Sequence, residues 1–389
     1  MKKQSLLYAS PFPPMKSGIA DYSVVLVKAL AEYFDITLYT DAYDMDEKSL
    51  ESFPIIKKGK DRVSFESFDY ILYNMGNNPM FHSYMYPDIL EHPGVVILHD
   101  VVLYHFVREY YRERQEFYTA LYRNFGVDSF IAVKDALRDG YYNDMSFASS
   151  LPLNEEILKA GNKIIVHSHY AEKKVLESGC ISPNSVRQVN LILQVEEESE
   201  IIPREVLFEK YNVPKDAFLI CSLGYIMSTK HNLEISRVIR KMQQTSERKI
   251  CYVMVGDGTY ADSELEKNTV IKTGYTTLEE FNSFAKYADV IVNLRYPSLG
   301  ETSAAMLRIL QMGKPCITNN GGWFSEIPDN CVRKIEIDNL EENLETALRE
   351  LMDDPGKAQF LGERAGKYAA EEYSGSVIAE RMYRFIANC

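Results

Sequence analysis

The chain of 389 residues lacks several features that would assign it to a class at once. It has no run of 18 or more apolar residues, so the sequence predicts no membrane-spanning helix. Its N-terminal apolar patch is too short for a signal-peptide core and is expected to form a first strand. The six cysteines include no CxxC pair, which favours reduced core thiols in the cytoplasm over a disulfide framework or a zinc site.

Two further absences narrow the function. No GxGxxG motif follows the first predicted strand, which disfavours a dinucleotide-dependent oxidoreductase. The net charge is −13, and an acidic chain is a poor partner for nucleic acid, although a local basic site for a phosphorylated small molecule stays compatible with it. His167 and His169 have the spacing of a metal pair but lack a third ligand, so we expect neither a metal nor another cofactor.

Strand-like and helix-like runs alternate along both halves of the chain. The strands are apolar nearly throughout, which is typical of a parallel sheet covered on both faces. An acidic, proline-containing stretch at 194–216 separates the halves. We therefore predict an α/β fold of two Rossmann-like domains, 1–196 and 197–370, that face each other across a cleft. A helix at 371–389 is expected to return towards the first domain.

Polar residues that follow strands are the candidates for function, because ligands bind at the carboxyl ends of parallel strands. In the first half, Gly18 lies in a proline-rich loop before a helix that is expected to open at about Asp21. Such a loop suits contact with a phosphate or a sugar, or is simply a turn with a helix cap. His99 and Asp100 follow another strand, where a histidine serves a ligand or a structural hydrogen bond.

In the second half, Lys230 follows the first strand and precedes a helix. A lysine there either neutralises a diphosphate or is an ordinary surface lysine. Gly274 and Tyr275 form a turn against which a base could pack, although any turn would look the same.

The stretch "RYPSLGETSAAMLRILQMGKP" follows a further buried strand. A helix is expected to begin near Thr302, so its first N–H groups, from Thr302 to Ala304, would be free for a diphosphate. Glu301 would then accept hydrogen bonds from sugar hydroxyls or merely complement the helix dipole. Ala304, Ala305 and Arg308 share one helix face with Glu301, a face suited to the approach of a ligand or a loop.

These motifs, together with "SPFPPMKSGIADYS", "LHDVVLYH", "VHSHY", "LGYIMSTKHN" and "GGWFSEIPD", occur in the order found in the family 4 glycosyltransferases, which the chain resembles over residues 5–385. The resemblance implies a retaining enzyme of the GT-B fold. It also implies a nucleotide-diphosphate-sugar donor bound by the second domain, an acceptor held by the first, and no obligatory metal.

The resemblance further implies roles for single residues. It places Glu301 and His99 at the donor sugar as catalytic residues, and Lys230 and Gly18 at the diphosphate. From their places in the sequence we add Thr302 and Ser303, at the helix start, to the diphosphate group. Asp100, Gly274, Tyr275, Gly300 and Ala304 fall in the region of the sugar or base, and Asp21 and Tyr22 on the acceptor side.

The chain departs from the family pattern at two points. The second glutamate of the motif, commonly on the ribose, is replaced by Ile309, with Arg308 beside it in an uncertain role. The arginine that accompanies the diphosphate lysine is missing, and Arg295 is our predicted substitute.

The expected activity is transfer of a hexosyl-type sugar to a glycan, lipid-linked or protein acceptor, in cell-surface polysaccharide synthesis. We expect a cytoplasmic protein at the inner face of the membrane, in contact with it through the aromatic and basic stretch 104–125. A sugar-nucleotide epimerase of the same fold and a non-catalytic nucleotide-sugar-binding scaffold are the alternatives.

Overall fold

The computed structural model describes residues 3–46, 48–112, 114–192, 201–260, 262 and 270–387. Contacts between residues divide the chain into two compact units. The first holds the described residues within Met1–Gln194, Leu299–Thr302 and Tyr373–Cys389, and the second those within Val195–Ser298 and Ser303–Glu372. The predicted boundary between 196 and 197 lies outside the described residues and stays a prediction.

The first unit is built on a sheet whose neighbouring strands all pair in parallel. The seven strands described in it run in the order β3-β2-β1-β4-β5-β6-β7. Their bounds are β1 Gln4–Ala9, β2 Phe34–Thr40, β3 Ile55–Lys57, β4 Tyr70–Met75, β5 Val95–Leu98, β6 Lys163–Val166 and β7 Val186–Gln188. The order reverses between β1 and β4, so the loops after these two strands diverge and leave a crevice for a ligand.

The helices of the first unit connect and cover these strands. They are α1 Gly18–Leu30, α2 Pro79–His82, α3 Tyr86–Glu91, α4 Tyr104–Tyr110, α5 Gln115–Phe125, α6 Asp128–Asp139, α7 Met145–Ser150, α8 Glu155–Ala160 and α9 His169–Glu177. The described residues of the stretch 104–125 therefore form two helices, α4 and α5.

The second unit repeats the design. The six strands described in it, all parallel, run in the order β10-β9-β8-β11-β12-β13. Their bounds are β8 Phe218–Leu223, β9 Ile250–Val255, β10 Ile271–Lys272, β11 Val290–Val292, β12 Cys316–Asn319 and β13 Arg333–Ile335. Every residue of β8 and β9 is buried, which explains the unbroken apolar runs of the sequence. The order reverses between β8 and β11.

The helices that follow the linker are α10 Arg204–Lys210, α11 Asn232–Thr245, α12 Leu278–Tyr287, α13 Ala304–Gln311, α14 Leu340–Asp353, α15 Pro355–Glu372 and α16 Gly375–Ala387. Helix α16 belongs to the first unit, where Tyr383 stacks on Tyr33 with ring centroids 4.8 Å apart. Among the described residues, no helix is long and apolar enough to cross a membrane.

Local chemistry sets where the functional helices begin. The side chain of Ser17 accepts a hydrogen bond from the Ile19 N–H, and α1 starts at Gly18 instead of the predicted Asp21. The side chain of Ser303 accepts from the Met306 N–H, so α13 starts at Ala304 and not near Thr302. With its serine cap, α1 starts earlier than the apolar pattern indicated, and α13 starts later.

Candidate functional site

The crevice of the first unit begins at the loop between β1 and α1. Gly18 is the first helical residue, and a Cβ added to it would meet no protein atom within 4 Å. Packing therefore does not require glycine there, and the space beside the Gly18 Cα is open. Asp21 is exposed in the first turn, whereas Tyr22 is buried.

Tyr22 packs against two histidines at strand ends. Its ring meets that of His99 at 4.8 Å and that of His167 at 5.3 Å, both edge-on. The two histidine rings are 4.9 Å apart. Tyr22 thus packs against His99 and helps to hold its ring in place. The position of Tyr22 in the sequence did not indicate this contact.

Burial keeps this histidine cluster neutral. Desolvation, then the neighbouring His167 and His82, hold the pKa of His99 well below its usual range. Burial lowers the pKa of His167 to about 4 and that of His82 to about 3. One ring nitrogen of His99 lies 3.2 Å from Asn74 Oδ1 at the end of β4. A neutral, oriented His99 is suited to hydrogen bonding and not to carrying charge.

The end of β4 supplies residues that the sequence reasoning missed. Asn74 orients His99, and Gly76 sits where a Cβ would lie 2.6 Å from Ile19 and 2.9 Å from His82 Nε2. Asp100 accepts a hydrogen bond from the Asn77 N–H at 2.9 Å, which fixes the loop after β5. A buried asparagine inside an apolar strand, followed by glycine, was the signal available in "YNMGNN".

The turn Leu299–Thr302 belongs to the first unit. The Leu299 carbonyl accepts from the N–H groups of Val101 at 3.0 Å and Val102 at 3.1 Å. Gly300 has φ +89°, and a Cβ on it would lie 2.6 Å from Val101 Cγ2, so only glycine allows this approach. The carboxylate of Glu301 accepts the Leu299 N–H at 2.6 Å.

This geometry bears on Glu301. Glu301 lies three positions before the first residue of α13 and so outside the first helical turn. This position weakens the interpretation of Glu301 as a simple partner of the helix dipole. One carboxylate oxygen closes the turn, and the side chain is half-buried. Glu301 is therefore held in one orientation at the mouth of the turn.

The centre of the second unit carries a buried cation. Lys230 is 6% exposed, and its ammonium donates to the Leu223 carbonyl at 2.7 Å. Burial, and then the positive charge of Arg295, lower the pKa of Lys230 well below its usual value. No carboxylate in the described part of the chain forms an ion pair with Lys230. Of the two interpretations that the sequence left open for Lys230, the ordinary surface lysine is therefore wrong.

The start of α13 lies beside this lysine. A Cβ on Gly224 would lie 2.8 Å from Lys230 Nζ and 3.9 Å from the Ala305 Cβ, so all three meet at the end of β8. Met306 N–H is capped by Ser303, while the structure gives the N–H groups of Ala304 and Ala305 no partner among the residues described. The predicted free donors are thus displaced by about one helical position from Thr302 and Ser303.

Arg295 follows β11, the strand next to β8. Its backbone N–H donates to Asn319 Oδ1 at 2.7 Å, and one guanidinium nitrogen lies 3.6 Å from Met227 Sδ. The Tyr296 N–H donates to the Thr229 carbonyl at 2.8 Å, which ties the loop after β11 to the loop that carries Lys230. Two cationic side chains therefore lie at the strand-order reversal of the second unit.

The remaining predicted residues lie apart from this centre. Gly274, with φ +71°, and the exposed Tyr275 follow β10, two strands from β8. Ile309 is fully buried in the core, and Arg308 is half-buried on the face of Ala304 and Ala305. Over the residues that the structure describes, no three His, Cys, Asp or Glu side chains are grouped as metal ligands.

The two parallel sheets define the fold class, and solved structures share it. HepE of Anabaena in complex with UDP has a TM-score of 0.64 at 11% identity, covering 100% of both chains. A glycosyltransferase from Rickettsia africae has a TM-score of 0.67 at 15% identity, covering 100% of this chain and 99% of that one. The predicted fold class of two Rossmann-like domains, that of GT-B proteins, is confirmed.

A putative UDP-N-acetylglucosamine 2-epimerase from Listeria monocytogenes also shares the fold, with a TM-score of 0.52 at 14% identity over 100% of this chain and 97% of that chain. No protein-family model and no curated protein matches the sequence.

Proposed function

We propose that the protein is a retaining, family 4-like glycosyltransferase that moves a sugar from a nucleotide-diphosphate-sugar to a glycan, lipid-linked or protein acceptor in cell-surface polysaccharide synthesis. The observation that carries this proposal is the buried ammonium of Lys230, 6% exposed and without a carboxylate partner among the described residues. A cation held this way costs stability unless an anion binds it.

A diphosphate fits the second unit best. Lys230, Arg295 and the uncapped N–H groups of α13 supply two positive side chains and a helix N-terminus at one strand-order reversal. HepE, which shares the fold, was solved with UDP and with UDP-glucose. In this proposal the donor binds without an obligatory metal, because the protein itself neutralises the diphosphate.

The first unit offers groups suited to sugar hydroxyls. His99 is neutral and oriented by Asn74, and Glu301 is fixed by the Leu299 N–H. In a neutral His99 the Nε2–H faces Asn74 Oδ1, so Nδ1 is left to accept a hydrogen bond from a hydroxyl, as the carboxylate of Glu301 does. We assign these two residues to the donor sugar, and Gly18 and Asp21, at the start of α1, to diphosphate and acceptor.

The chemistry proposed is front-face substitution. The bond between the anomeric carbon and the diphosphate breaks, and the acceptor oxygen bonds to the same face of that carbon. The acceptor's proton passes to the leaving diphosphate. Lys230, Arg295 and the start of α13 stabilise the charge that grows on the diphosphate, which is electrostatic catalysis by preorganised donors.

In this proposal, ribose recognition does not use the second glutamate of the family 4 motif, which Ile309 replaces. Ile309 is part of the core and offers no polar group to a ligand. Arg308 projects from the half-buried face that Ala304 and Ala305 share. We propose that Arg308, and not a glutamate, lines the nucleoside side of the donor site.

A donor screen followed by product detection tests the proposal. UDP-, GDP- and dTDP-sugars are tested by thermal shift, and those that raise the unfolding midpoint are incubated with candidate acceptors. We expect one nucleotide class to bind and a glycosylated product with retained configuration. Turnover of the donor without an acceptor supports the alternative of a sugar-nucleotide epimerase. The Listeria protein described as a putative epimerase has the same fold. Binding with no turnover supports the scaffold.

We also propose peripheral contact with the inner face of the membrane through α4 and α5. Tyr118 and Tyr122 are 37% and 57% exposed, and Arg114 and Arg123 flank them. Exposed aromatic rings next to arginines suit the headgroup region of anionic lipid. Sedimentation with phosphatidylglycerol vesicles, compared between the wild type and Tyr122→Ser, measures this contact.

A further inference from the structure

A basic groove lies in the first unit, outside the crevice described above. Its volume is about 690 Å³, and its walls come from β6, β7, α9 and α16. The side chains that define the basic groove are Lys163, Arg187, Arg381 and Arg384, with His169, Glu172 and Phe385. It lies beside β7, an edge strand of the described sheet.

The basic groove concentrates positive charge on an acidic protein. Four of its lining side chains are cationic and one, Glu172, is a carboxylate, whereas the whole chain carries a net charge of −13. Glu172 is already occupied: it accepts from the Gln188 N–H at 3.2 Å and lies 3.2 Å from His169 Nδ1. Such a local excess of one sign raises the concentration of ligands of the other sign.

Two of the four cations have partners within the protein. The ammonium of Lys163 donates to the carbonyls of Phe385 and Ile386, the latter at 3.0 Å, at the C-terminal end of α16. Arg384 pairs with Glu380 at 2.6 Å. These two contacts stabilise the helix end and account for Lys163 and Arg384 without any ligand.

The other two cations, Arg187 and Arg381, form no ion pair with a described residue. The guanidinium of Arg187 lies over the Phe385 ring, 5.4 Å from its centroid, which orients it without neutralising it. Arg381 precedes Arg384 by three positions on one helix face, a spacing at which like charges destabilise a helix. Helix stability therefore does not explain Arg381.

We propose that the basic groove is a second anion site that binds a small ligand bearing two phosphate groups. Each of the two uncompensated guanidiniums offers a planar fork of N–H donors, the geometry that matches one phosphate. The site lies wholly within the first unit, on residues that have no part in the proposed sugar transfer. Its existence is independent of that activity.

Titration of the full-length protein with inorganic pyrophosphate tests the site. All measurements are made in a Lys230→Met, Arg295→Gln background, which removes both cationic side chains from the centre of the second unit. We expect the double variant Arg187→Gln, Arg381→Gln to lose about tenfold or more in affinity. Glu172→Gln, which keeps an oxygen for the Gln188 N–H, should bind about threefold more tightly.

The matched control is Arg204→Gln, Arg248→Gln. It removes the same charge from two arginines that also lie over phenylalanine rings, at 4.1 and 4.7 Å, but in the second unit. Equal pyrophosphate affinity in the two double variants overturns the proposal. Binding to phosphatidylglycerol vesicles that needs Arg187 and Arg381, with no affinity for pyrophosphate, also overturns it and assigns the groove to a lipid surface.

Discussion

The two units carry different kinds of side chain near the carboxyl ends of their parallel strands. In the first unit, Tyr22 on the helix after β1 packs against His99 and His167, which follow β5 and β6, and the three rings form a buried, neutral cluster. At the strand-order reversal of the second unit, Lys230 and Arg295 form a cationic pair. In the proposed function, the side chains after the strands fit the first unit to uncharged sugar hydroxyls and the second to an anionic diphosphate, although the two sheets have the same topology.

Lys230→Met tests this comparison most directly and is expected to have the largest effect. Methionine has a similar volume but no charge, so donor turnover should fall by about 10³-fold as the diphosphate loses its buried cation. Stability should change little, because the lost hydrogen bond to Leu223 is offset by removal of a buried charge. Steady-state kinetics and thermal unfolding measure the two effects.

Lys241→Met is the control for that variant. Lys241 is 70% exposed and pairs with Glu345 on the surface of the same unit, so its replacement should leave turnover unchanged. Wild-type turnover in Lys230→Met would remove the main support for a diphosphate site.

Glu301→Gln is expected to have the next largest effect, about 10²-fold on turnover. Glutamine keeps an oxygen that can accept the Leu299 N–H, so the turn should persist while the negative charge towards the sugar is lost. Glu371→Gln, at an exposed carboxylate 3.8 Å from Lys367, is the matched control. A less than threefold loss would reduce Glu301 to a residue that only shapes the turn.

Acid should destabilise the first unit through its buried histidines. Unfolded histidine binds a proton below about pH 6.5, whereas burial lowers the pKa of folded His167 to about 4 and of His82 to about 3. The unfolded state therefore binds more protons as pH falls from 6.5 towards those values, and stability is lost in that window. Between pH 7 and pH 5 each should cost about 1–2 kcal/mol.

Denaturant titrations at pH 7 and pH 5 measure this dependence. His167→Gln retains a side-chain donor for the Val189 carbonyl, which His167 contacts at 2.9 Å, and should flatten the pH dependence by one histidine's share. An unchanged slope in His167→Gln would show that this side chain is protonated equally in both states.

Much of the fold was predictable because the central strands are long and apolar throughout, as in β8 and β9. The strands β3, β7 and β13, of three residues each, were missed because they contain charged or polar residues and are only partly buried. The equally short β11 was predicted because its three residues are apolar and buried. Residues after strands were predictable from topology. Their environment was not: the burial of Lys230 depends on chain segments far from it in sequence.

The same limit explains the errors at α1 and α13. Both helices begin next to a serine cap, Ser17 and Ser303, and the apolar pattern starts at a different residue from the cap. Gly76 and Asn74 gave only weak local signals, because their importance comes from contacts with α1 and β5.

Arg295→Gln should have the smallest effect of the series, about a tenfold loss of donor affinity, because two consequences oppose each other. The donor loses one cationic contact. The pKa of Lys230 rises, since Arg295 is one of the two causes that lower it, and the lysine stays protonated to a higher pH. Donor affinity measured as a function of pH should therefore fall at a higher pH in the variant than in the wild type. Arg248→Gln, at an exposed arginine of the same unit, controls for net charge. Unchanged affinity and an unchanged alkaline limit would leave Lys230 as the sole side-chain anchor of the diphosphate.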